Sequence, residues 1–205
     1  PTRRSSDLYI FVHFYIRGGL MSDILKAPVY EGRPKLGEGR LEKEIRTYDL
    51  LDRLEISYLR LDHEAMPTIE ACRDVDKRLQ IHICKNLFLC NSGKTDFYLL
   101  LMPGEKKFHT REVSSQLGVS RLSFAPEEKL EELLDLTPGS VTVLGLMNDS
   151  AQRVKLLMDR ELLQEPYMGC HPCINTSSIR ISTRDVLEKF LPAVNHMPVF
   201  LDLSA

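Results

Sequence analysis

Lys85 is the first residue whose type and position could do chemistry, because it stands with Asn86 inside the apolar run 82–90. Burying an unpaired ammonium group is costly, so a lysine in such a run must be paired or must line a cavity. One interpretation is a cation at the floor of a polar pocket, beside Asn86. The other is a lysine on an edge strand that discourages aggregation. The sequence alone leaves both open.

A second candidate is the segment Pro138-Gly139-Ser140, which is typical of a turn between a helix and a strand. Its backbone N–H groups could also polarise a carbonyl group. The segment lacks the Gly-Lys-Ser/Thr of a phosphate-binding loop, and no serine of the chain has the sequence context of a nucleophile elbow. The sequence therefore supports neither a phosphate loop nor a serine hydrolase.

The third candidate is the segment Cys170-His171-Pro172-Cys173. A zinc site needs about four ligands, and this segment supplies too few. A thioredoxin-like motif would begin a helix after a strand, whereas Pro172 and Asn175 indicate a loop. We therefore expect no metal and no cofactor, and we expect His171 to line a pocket. A purely structural histidine and a metal-dependent redox site that uses both cysteines are the alternatives.

The composition is that of a globular protein with one domain. Of the 205 residues, 43% are hydrophobic and 27% are charged. The formal net charge of −2 argues against nucleic-acid binding by bulk electrostatics, but it leaves room for a small basic footprint. Five cysteines, an odd number without a secretory signal, predict reduced thiols in a cytoplasmic protein.

Residues 1–38 are predicted to be an N-terminal extension and arm, followed by one domain at residues 39–205. The basic start precedes the apolar run 8–16, which imitates a signal peptide. That run contains a histidine, lacks a cleavage site and is shorter than the roughly 20 residues that span a bilayer, so no membrane segment is expected. Residues 1–20 are expected to lie outside the fold, with Met21 as the natural start. An added edge strand is the alternative.

Hydrophobic periodicity predicts the elements that position these residues. A β-hairpin at residues 82–102 should occupy the centre of a sheet, and Thr68 should cap a helix that buries Leu79. Because hairpins and helices are mixed without regular β-α-β alternation, we predict an α+β fold with a mixed sheet. The other predicted helices are 40–54, 110–118, one from Pro126 and one from Thr183 that ends at Pro192. The other predicted strands are 57–61, 141–146, 154–158, 178–182 and 198–203, with a loop at 169–177.

The combination of these motifs resembles a known family. The motifs are Lys85-Asn86 in a strand, the segment 139–143 leading to Asn148-Asp149, and Gly169-Cys-His-Pro with Asn175-Thr-Ser. In this order they are similar to motifs of the YbaK/ProX family of aminoacyl-tRNA deacylases. The resemblance covers about residues 40–203. It is greatest to the free-standing, PrdX-like branch that removes alanine from tRNA(Pro).

The resemblance implies a single α+β domain with a curled mixed β-sheet, flanking helices and one cleft. It implies hydrolysis of the ester that joins a mischarged amino acid to the terminal ribose of a tRNA. Lys85 matches the family's key lysine, His171 matches its pocket histidine, and residues 139–143 match its glycine-rich loop. Many members end that loop with proline, where this chain has Val143. This departure bears on the choice of substrate.

The implied roles fall into two groups. The implied catalytic residues are Lys85, Gly139, Ser140 and His171. The implied substrate-binding residues are Asn86, Val141, Thr142, Val143, Gly169 and Asn175. The implied partners are the acceptor end of a mischarged tRNA, first of all tRNA(Pro), and prolyl-tRNA synthetase. Candidates for contact with the acceptor stem are Arg111, Arg121 and Lys155. The runner-up is a non-catalytic member of this fold that senses an aminoacyl-tRNA or an amino acid.

Physical chemistry is compatible with such a reaction. A synthetase pocket made for proline excludes the smaller alanine poorly, since a methylene or two is worth only about 1–3 kcal/mol. A second, smaller site can admit alanine and reject proline. An aminoacyl ester is already activated, so positioning a water and polarising the carbonyl group can suffice. This agrees with a sequence that offers no convincing Ser/His/Asp or Cys/His set.

Overall fold

The structure is a computed structural model. The parts of the chain that it describes are residues 24–35, 39–65, 69–82 and 84–204. The expectations for residues 1–20, for Met21 and for the Thr68 cap fall outside these ranges. The described residues form one α+β domain, as predicted. None of their helices is long and apolar enough to cross a membrane.

The secondary structure follows the predicted order closely. The strands are β1 (Tyr30–Glu31), β2 (Tyr58–Asp62), β3 (Cys84–Cys90), β4 (Phe97–Pro103), β5 (Ser123–Phe124), β6 (Val154–Asp159), β7 (Tyr167–Cys170), β8 (Ser177–Ser182) and β9 (Val199–Leu201). The α-helices are α1 (Glu42–Arg53), α2 (Ile69–Leu79), α3 (Thr110–Leu117), α4 (Glu127–Leu134), α5 (Thr183–Asp185) and α6 (Leu191–Ala193). A π-helical turn, Val186–Phe190, joins α5 to α6.

The larger sheet is mixed and has the strand order β5-β3-β4-β6-β9. The predicted hairpin is confirmed, since β3 and β4 pair antiparallel and β4 is buried along its whole length in the centre of the sheet. Strand β6 pairs parallel with both β4 and β9. The register places Lys85 opposite Met102 and Asn86 opposite Leu101. This register decides which face of the sheet each residue of β3 occupies.

The smaller sheet is antiparallel, with the order β1-β2-β8-β7. Its register places Asp62 opposite Ser177 and Gly169 opposite Arg180. The described part of the predicted arm belongs to this sheet, because β1 pairs with β2 and Val29 packs against a small core cluster beside α2. Residues 24–35, the described part of the arm, are therefore part of the packed structure.

Two hydrophobic clusters lie on opposite faces of the larger sheet. The first cluster fills the space between the two sheets and is covered by α1 and α4, with Phe88 and Ile179 as examples from each sheet. The second cluster lies on the other face, beneath α3 and the C-terminal segment, and includes Leu89, Val113 and Leu203. Burying large apolar side chains in this way contributes about 1.5–3 kcal/mol each.

Three local predictions are wrong. Residues 141–146 were expected to form a strand, but Val143–Asn148 form a 3₁₀ helix. The Thr142 hydroxyl caps this helix by accepting a hydrogen bond from the Leu144 amide. The cap decides the outcome, because a short apolar run by itself fits a strand or a buried helix equally well.

The other two corrections concern the C-terminal half. The predicted loop at 169–177 begins inside β7, so Gly169 and Cys170 are strand residues. The last helical segment was expected to end at Pro192, but Leu191–Ala193 are helical. The π-helical turn before them changes the hydrogen-bond pattern, so that a proline without an N–H group is accommodated near the start of α6.

Candidate functional site

The glycine loop, residues 135–143, connects α4 to the 3₁₀ helix. Gly139 has a φ of +84°, which glycine adopts without the steric cost that other residues pay. The fully buried Ser140 closes the turn: its hydroxyl donates to the Thr137 carbonyl at 2.8 Å, and its amide donates to the same carbonyl at 3.0 Å. No described residue accepts a hydrogen bond from the amides of Gly139 or Val141. These two N–H groups flank Ser140, and because Gly139 is exposed and Val141 is partly exposed, the loop can offer them to a ligand.

The histidine loop, residues 171–176, joins β7 to β8. Nδ1 of His171 lies 2.9 Å from the carbonyl oxygen of Ser177. A carbonyl oxygen can only accept, so Nδ1 carries the proton and Nε2 keeps a lone pair. Burial lowers the pKa of His171, and the nearby His63 ring acts in the same direction. His171 is therefore neutral at physiological pH and can accept a hydrogen bond through Nε2.

The two loops lie against each other. A Cβ atom on Gly139 would stand 3.5 Å from Nδ2 of Asn175, which is ordinary van der Waals contact. The Thr142 side chain lies near the thiol of Cys170, the last residue of β7, and acts to lower its pKa. Cys84 of β3 also lies close enough to Cys170 to influence its titration. The structure thus brings Gly139, Thr142 and Asn175 together, with the beginning of β3 behind them.

Lys85 and Asn86 occupy different faces of β3. Asn86 is paired with Leu101, which belongs to the first cluster, and thus lies on the same face as the two loops. Lys85 is paired with Met102 of the second cluster, so its side chain leaves the opposite face. Its ammonium group donates to the carbonyl of Lys106 at 2.6 Å. Because Lys85 is only the second residue of β3, it lies at the end of the sheet rather than in its middle.

The remaining implied site residues are packed closely. Val143 is 1% exposed, so it contributes to the floor of the loop rather than to its rim. A Cβ atom on Gly169 would meet Cδ1 of Ile81 at 2.3 Å. A larger residue at position 169 would therefore require the Ile81 side chain to shift.

A buried polar cluster supports the histidine loop from the side of α1. Tyr48 donates to Glu44 at 3.1 Å and lies 3.5 Å from the Ser177 hydroxyl. Burial raises the pKa of Glu44, and Arg40 opposes this. Burial would also raise the pKa of Asp62, but hydrogen bonds from Arg40 and Arg60 outweigh it and lower that pKa to about 2. The cluster fixes Ser177, whose carbonyl in turn orients His171.

His63 is a site residue that the sequence did not reveal. It follows β2 directly, its ring centroid is 6.4 Å from that of His171, and its Nε2 lies 2.8 Å from the Ser178 hydroxyl. Burial lowers the pKa of His63 as well. The sequence signal that could have revealed His63 is its position directly after a strand, because binding and catalytic residues often lie in the loops that follow strands. Glu44 and Tyr48 gave no signal, because they lie on the buried side of an ordinary amphipathic helix.

The cysteines of the histidine loop are buried free thiols. Burial raises the pKa of Cys170, and it raises the pKa of Cys173 to about 11 and that of Cys84 to about 12. Such thiols are protonated at neutral pH, and the thiolate is the form that binds metals and attacks disulfides. Within the described ranges, no group of three or more His, Cys, Asp or Glu residues is placed to hold a metal ion.

Basic residues near the glycine loop come from α1. Lys43 donates to the Asp135 carbonyl at 3.0 Å, and Arg46 pairs with the Asp135 carboxylate at 2.6 Å. Among the expected tRNA contacts, Lys155 is exposed and lies 3.5 Å from Asp96. Arg111 and Arg121 are also exposed. A cavity of about 660 Å³ lies elsewhere, on the antiparallel sheet. None of the implied site residues lines it.

Comparisons with known proteins point to one family. The family model of the aminoacyl-tRNA editing domain matches residues 63–189, more than half of the chain. The prolyl-tRNA editing protein ProX of Acetoanaerobium sticklandii is 32% identical over 143 residues, which cover 70% of this chain and 87% of that protein. The prolyl-tRNA synthetase associated domain-containing protein 1 of Danio rerio is 30% identical over 185 residues, covering 89% and 98%. A solved structure whose name suggests a trans-editing enzyme for prolyl tRNA synthetase shares the fold, with a TM-score of 0.60 at 13% identity over 81% of this chain and 100% of that one.

Proposed function

This chain belongs to the family of aminoacyl-tRNA editing domains, as its motifs indicated, and we propose that it hydrolyses the ester of mischarged tRNA, with Ala-tRNA(Pro) as its substrate. We assign this activity to residues 39–205 and to the cytoplasm, with prolyl-tRNA synthetase as the enzyme whose errors it corrects. The observation that carries the proposal is the contact between the glycine loop and the histidine loop inside an editing domain.

The chemistry requires positioning rather than a protein nucleophile. A water molecule adds to the ester carbonyl carbon, and the bond to the ribose oxygen breaks. The products are the free amino acid and the ribose hydroxyl, which takes up the proton. In this proposal the amides of Gly139 and Val141, for which the described residues supply no acceptor, stabilise the negative charge that develops on the carbonyl oxygen. The Ser140 hydroxyl and amide are engaged in the turn, so in this proposal Ser140 holds the loop in shape.

His171, Asn175 and Asn86 form the polar wall of the proposed amino-acid pocket. Nε2 of His171 accepts a hydrogen bond from the substrate's amino group or from the attacking water. Asn175 lies against Gly139 and limits the room beside the loop. Thr142, Val143 and Gly169 restrict the pocket from behind by close packing. A pocket limited in this way favours alanine over proline, by the roughly 1–3 kcal/mol that a difference of one or two methylenes can give.

Lys85 binds the terminal nucleotide in this proposal. Its side chain starts on the far face of β3, but its position at the sheet end lets a four-carbon stem reach the boundary between the two faces. An ammonium group there suits a phosphate oxygen of the acceptor end better than the amino acid itself. Arg111, Arg121 and Lys155 remain candidates for contacts further along the acceptor stem.

A panel of charged tRNAs tests this function. Purified protein in excess is incubated with Ala-tRNA(Pro) and with tRNAs charged with proline, serine and cysteine, and released amino acid is measured. We expect fast release from Ala-tRNA(Pro) and little release from Pro-tRNA(Pro). If the protein binds these charged tRNAs but releases no amino acid from any of the four, it is a sensor of aminoacyl-tRNA and not an enzyme.

A further inference from the structure

Lys106 is a buried lysine whose ammonium group is fully hydrogen-bonded. It is 8% exposed and follows β4 in a turn. Its Nζ lies 2.9 Å from the Asp159 carboxylate, 2.8 Å from the Glu161 carboxylate and 2.7 Å from the carbonyl of Leu203. An ammonium group has three N–H donors, so each of them has an acceptor. The Lys106 side chain is thus held in one place by three different segments of the chain.

The acceptors are themselves fixed. Asp159 is 1% exposed and ends β6, where it also accepts a hydrogen bond from the Glu161 amide at 3.1 Å. Leu203 lies in the C-terminal segment, which Ser204 ties to Glu112 of α3. The turn that carries Lys106 is therefore anchored to β6 and to the C-terminal segment at once. A buried ion pair of this kind is weak evidence for stability, and its best-supported use is to specify one arrangement.

The main chain of the same residue holds Lys85. The Lys106 carbonyl accepts from the Lys85 ammonium group at 2.6 Å, a short distance that is typical of charge-assisted hydrogen bonds. Lysine has a long, flexible stem, so the position of its charge depends on its partner. The Asp159 and Glu161 carboxylates neutralise the charge of Lys106, which allows two lysines to lie together.

We propose that Lys106, anchored by Asp159, is a positioning residue that places the Lys85 ammonium group at the end of β3. In this arrangement the side chain of Lys106 does not touch substrate. It fixes the turn, and the turn fixes the carbonyl that orients Lys85. The kinetic part of this inference rests on the proposed deacylase function, whereas the structural part does not.

Two measurements test the inference. The first is the rate at which Lys85 is acylated by an amine-selective N-hydroxysuccinimide ester, followed by mass spectrometry in the wild-type protein and in Lys106→Met. We expect faster labelling of Lys85 in the variant, because its ammonium group has lost a fixed acceptor, while labelling of the exposed Lys94 stays the same. Unchanged labelling of Lys85 in a folded variant would overturn the inference.

The second measurement is the single-turnover release of alanine from Ala-tRNA(Pro). Lys106→Met should lower this rate about tenfold, since an error of about 1 Å in position can cost up to a hundredfold. The same substitution in a Lys85→Met background should have no further effect. An equal fall in both backgrounds would show that Lys106 acts on the fold at large and would overturn the proposal.

Two variants control for stability. His196→Gln breaks a different buried pair, in which Nε2 of His196 lies 3.2 Å from Asp149 near the start of β6. It should lower the melting temperature without changing Lys85 labelling. If Lys106→Met does not fold, Glu161→Gln replaces it, because Glu161 is 49% exposed and the substitution removes one negative charge while it leaves an amide oxygen as acceptor. The same changes in Lys85 labelling and in the single-turnover rate are then expected, with a smaller factor.

If the wild-type protein releases no amino acid from any charged tRNA, the proposed function has failed, while the labelling still decides the role of Lys106.

Discussion

The two faces of β3 carry different kinds of polar chemistry, although the residues concerned are neighbours in the chain. On the face toward the antiparallel sheet, Cys84 and Asn86 stand among neutral groups: thiols, hydroxyls, amides and an unprotonated histidine. On the other face, Lys85 joins an ionic network through Lys106 and Asp159. The sheet itself separates these two environments.

The difference explains how a site without a charged nucleophile can polarise an ester. Backbone N–H dipoles act on a developing negative charge most strongly where no nearby ion competes for them and water is excluded. The charged groups beside the glycine loop, Lys43, Arg46 and Asp135, are paired with one another at its first residue. The hydrogen-bond partners of Asn86, Thr142 and His171 are neutral backbone groups. Lys85, at the end of the sheet and outside the proposed amino-acid pocket, carries the positive charge that would bind an anionic nucleotide.

Replacing Lys85 is the most direct test of the difference between the two faces of β3, and it should have the largest effect on the deacylation rate. We expect Lys85→Ala to lower the single-turnover rate at subsaturating protein about hundredfold, because the terminal nucleotide loses its charged partner and is bound less tightly and less precisely. Lys94→Ala, in the turn of the same hairpin, is the matched control and should leave the rate unchanged. A wild-type rate for Lys85→Ala would remove the charged face from the mechanism.

Asn86 tests the neutral face of the same strand. We expect Asn86→Ala to lower the rate by roughly tenfold, because it removes one neutral hydrogen-bonding group, worth about 0.5–1.5 kcal/mol. The effect should appear in the rate constant and in the selectivity against Pro-tRNA(Pro), whereas Lys85→Ala should weaken binding of both charged tRNAs alike. Identical profiles for the two variants would show that the two faces are not functionally distinct.

Alanine substitutions at two glycines with left-handed backbones distinguish the effect of local backbone strain from a loss of function. Gly139 has a φ of +84° and Gly118 a φ of +65°, and an added Cβ on Gly118 would meet nothing within 4 Å. Alanine should destabilise the fold by about 1 kcal/mol at each position, because the native φ is unfavourable for it. Only Gly139→Ala should also slow deacylation, by several-fold. Equal rates in the two variants, measured below their melting temperatures, would argue against the glycine loop as the carbonyl-binding element.

The sequence allowed the fold class, the central hairpin and the approximate positions of α1, α3 and α4 to be predicted, because these depend on local periodicity. It could not assign residues 141–146, since an apolar run fits a strand or a buried 3₁₀ helix and the Thr142 cap decides between them. The motif Lys85-Asn86 was predicted as one unit of a pocket. Alternation along β3 divides it between two faces.

The supporting residues were beyond sequence reasoning for a different reason. Lys106 and Asp159 are 53 positions apart, and His63 and Ser178 are 115 positions apart. Each looks like an ordinary polar surface residue until the strand order is known. Candidate site residues could be found in the sequence from residue type and spacing. The residues that orient them could be found only once the pairing of the strands was known.

The protonation of His171 should give the smallest effect and tests whether the neutral face must stay neutral. Burial holds the pKa of His171 below its usual value of about 6.5. In the unfolded chain the ring takes up a proton near pH 6.5, whereas in the folded protein it does so only at lower pH. Between these two values the unfolded state binds more protons, so stability falls as the pH drops below about 6.5.

Asp76 titrates in the same range with the opposite sign. Burial raises its pKa to about 6, so the destabilisation by its carboxylate fades as the pH falls from 6 toward 4. Comparing unfolding free energies of the wild-type protein and His171→Gln at each pH cancels this contribution. We expect the advantage of the wild type to be constant above pH 7 and to shrink below pH 6.5. Deacylation should fall only at the lower pH at which the folded protein protonates His171, because protonation removes the lone pair of Nε2. A His171→Gln variant that keeps the wild-type rate at pH 7 would remove His171 from the site.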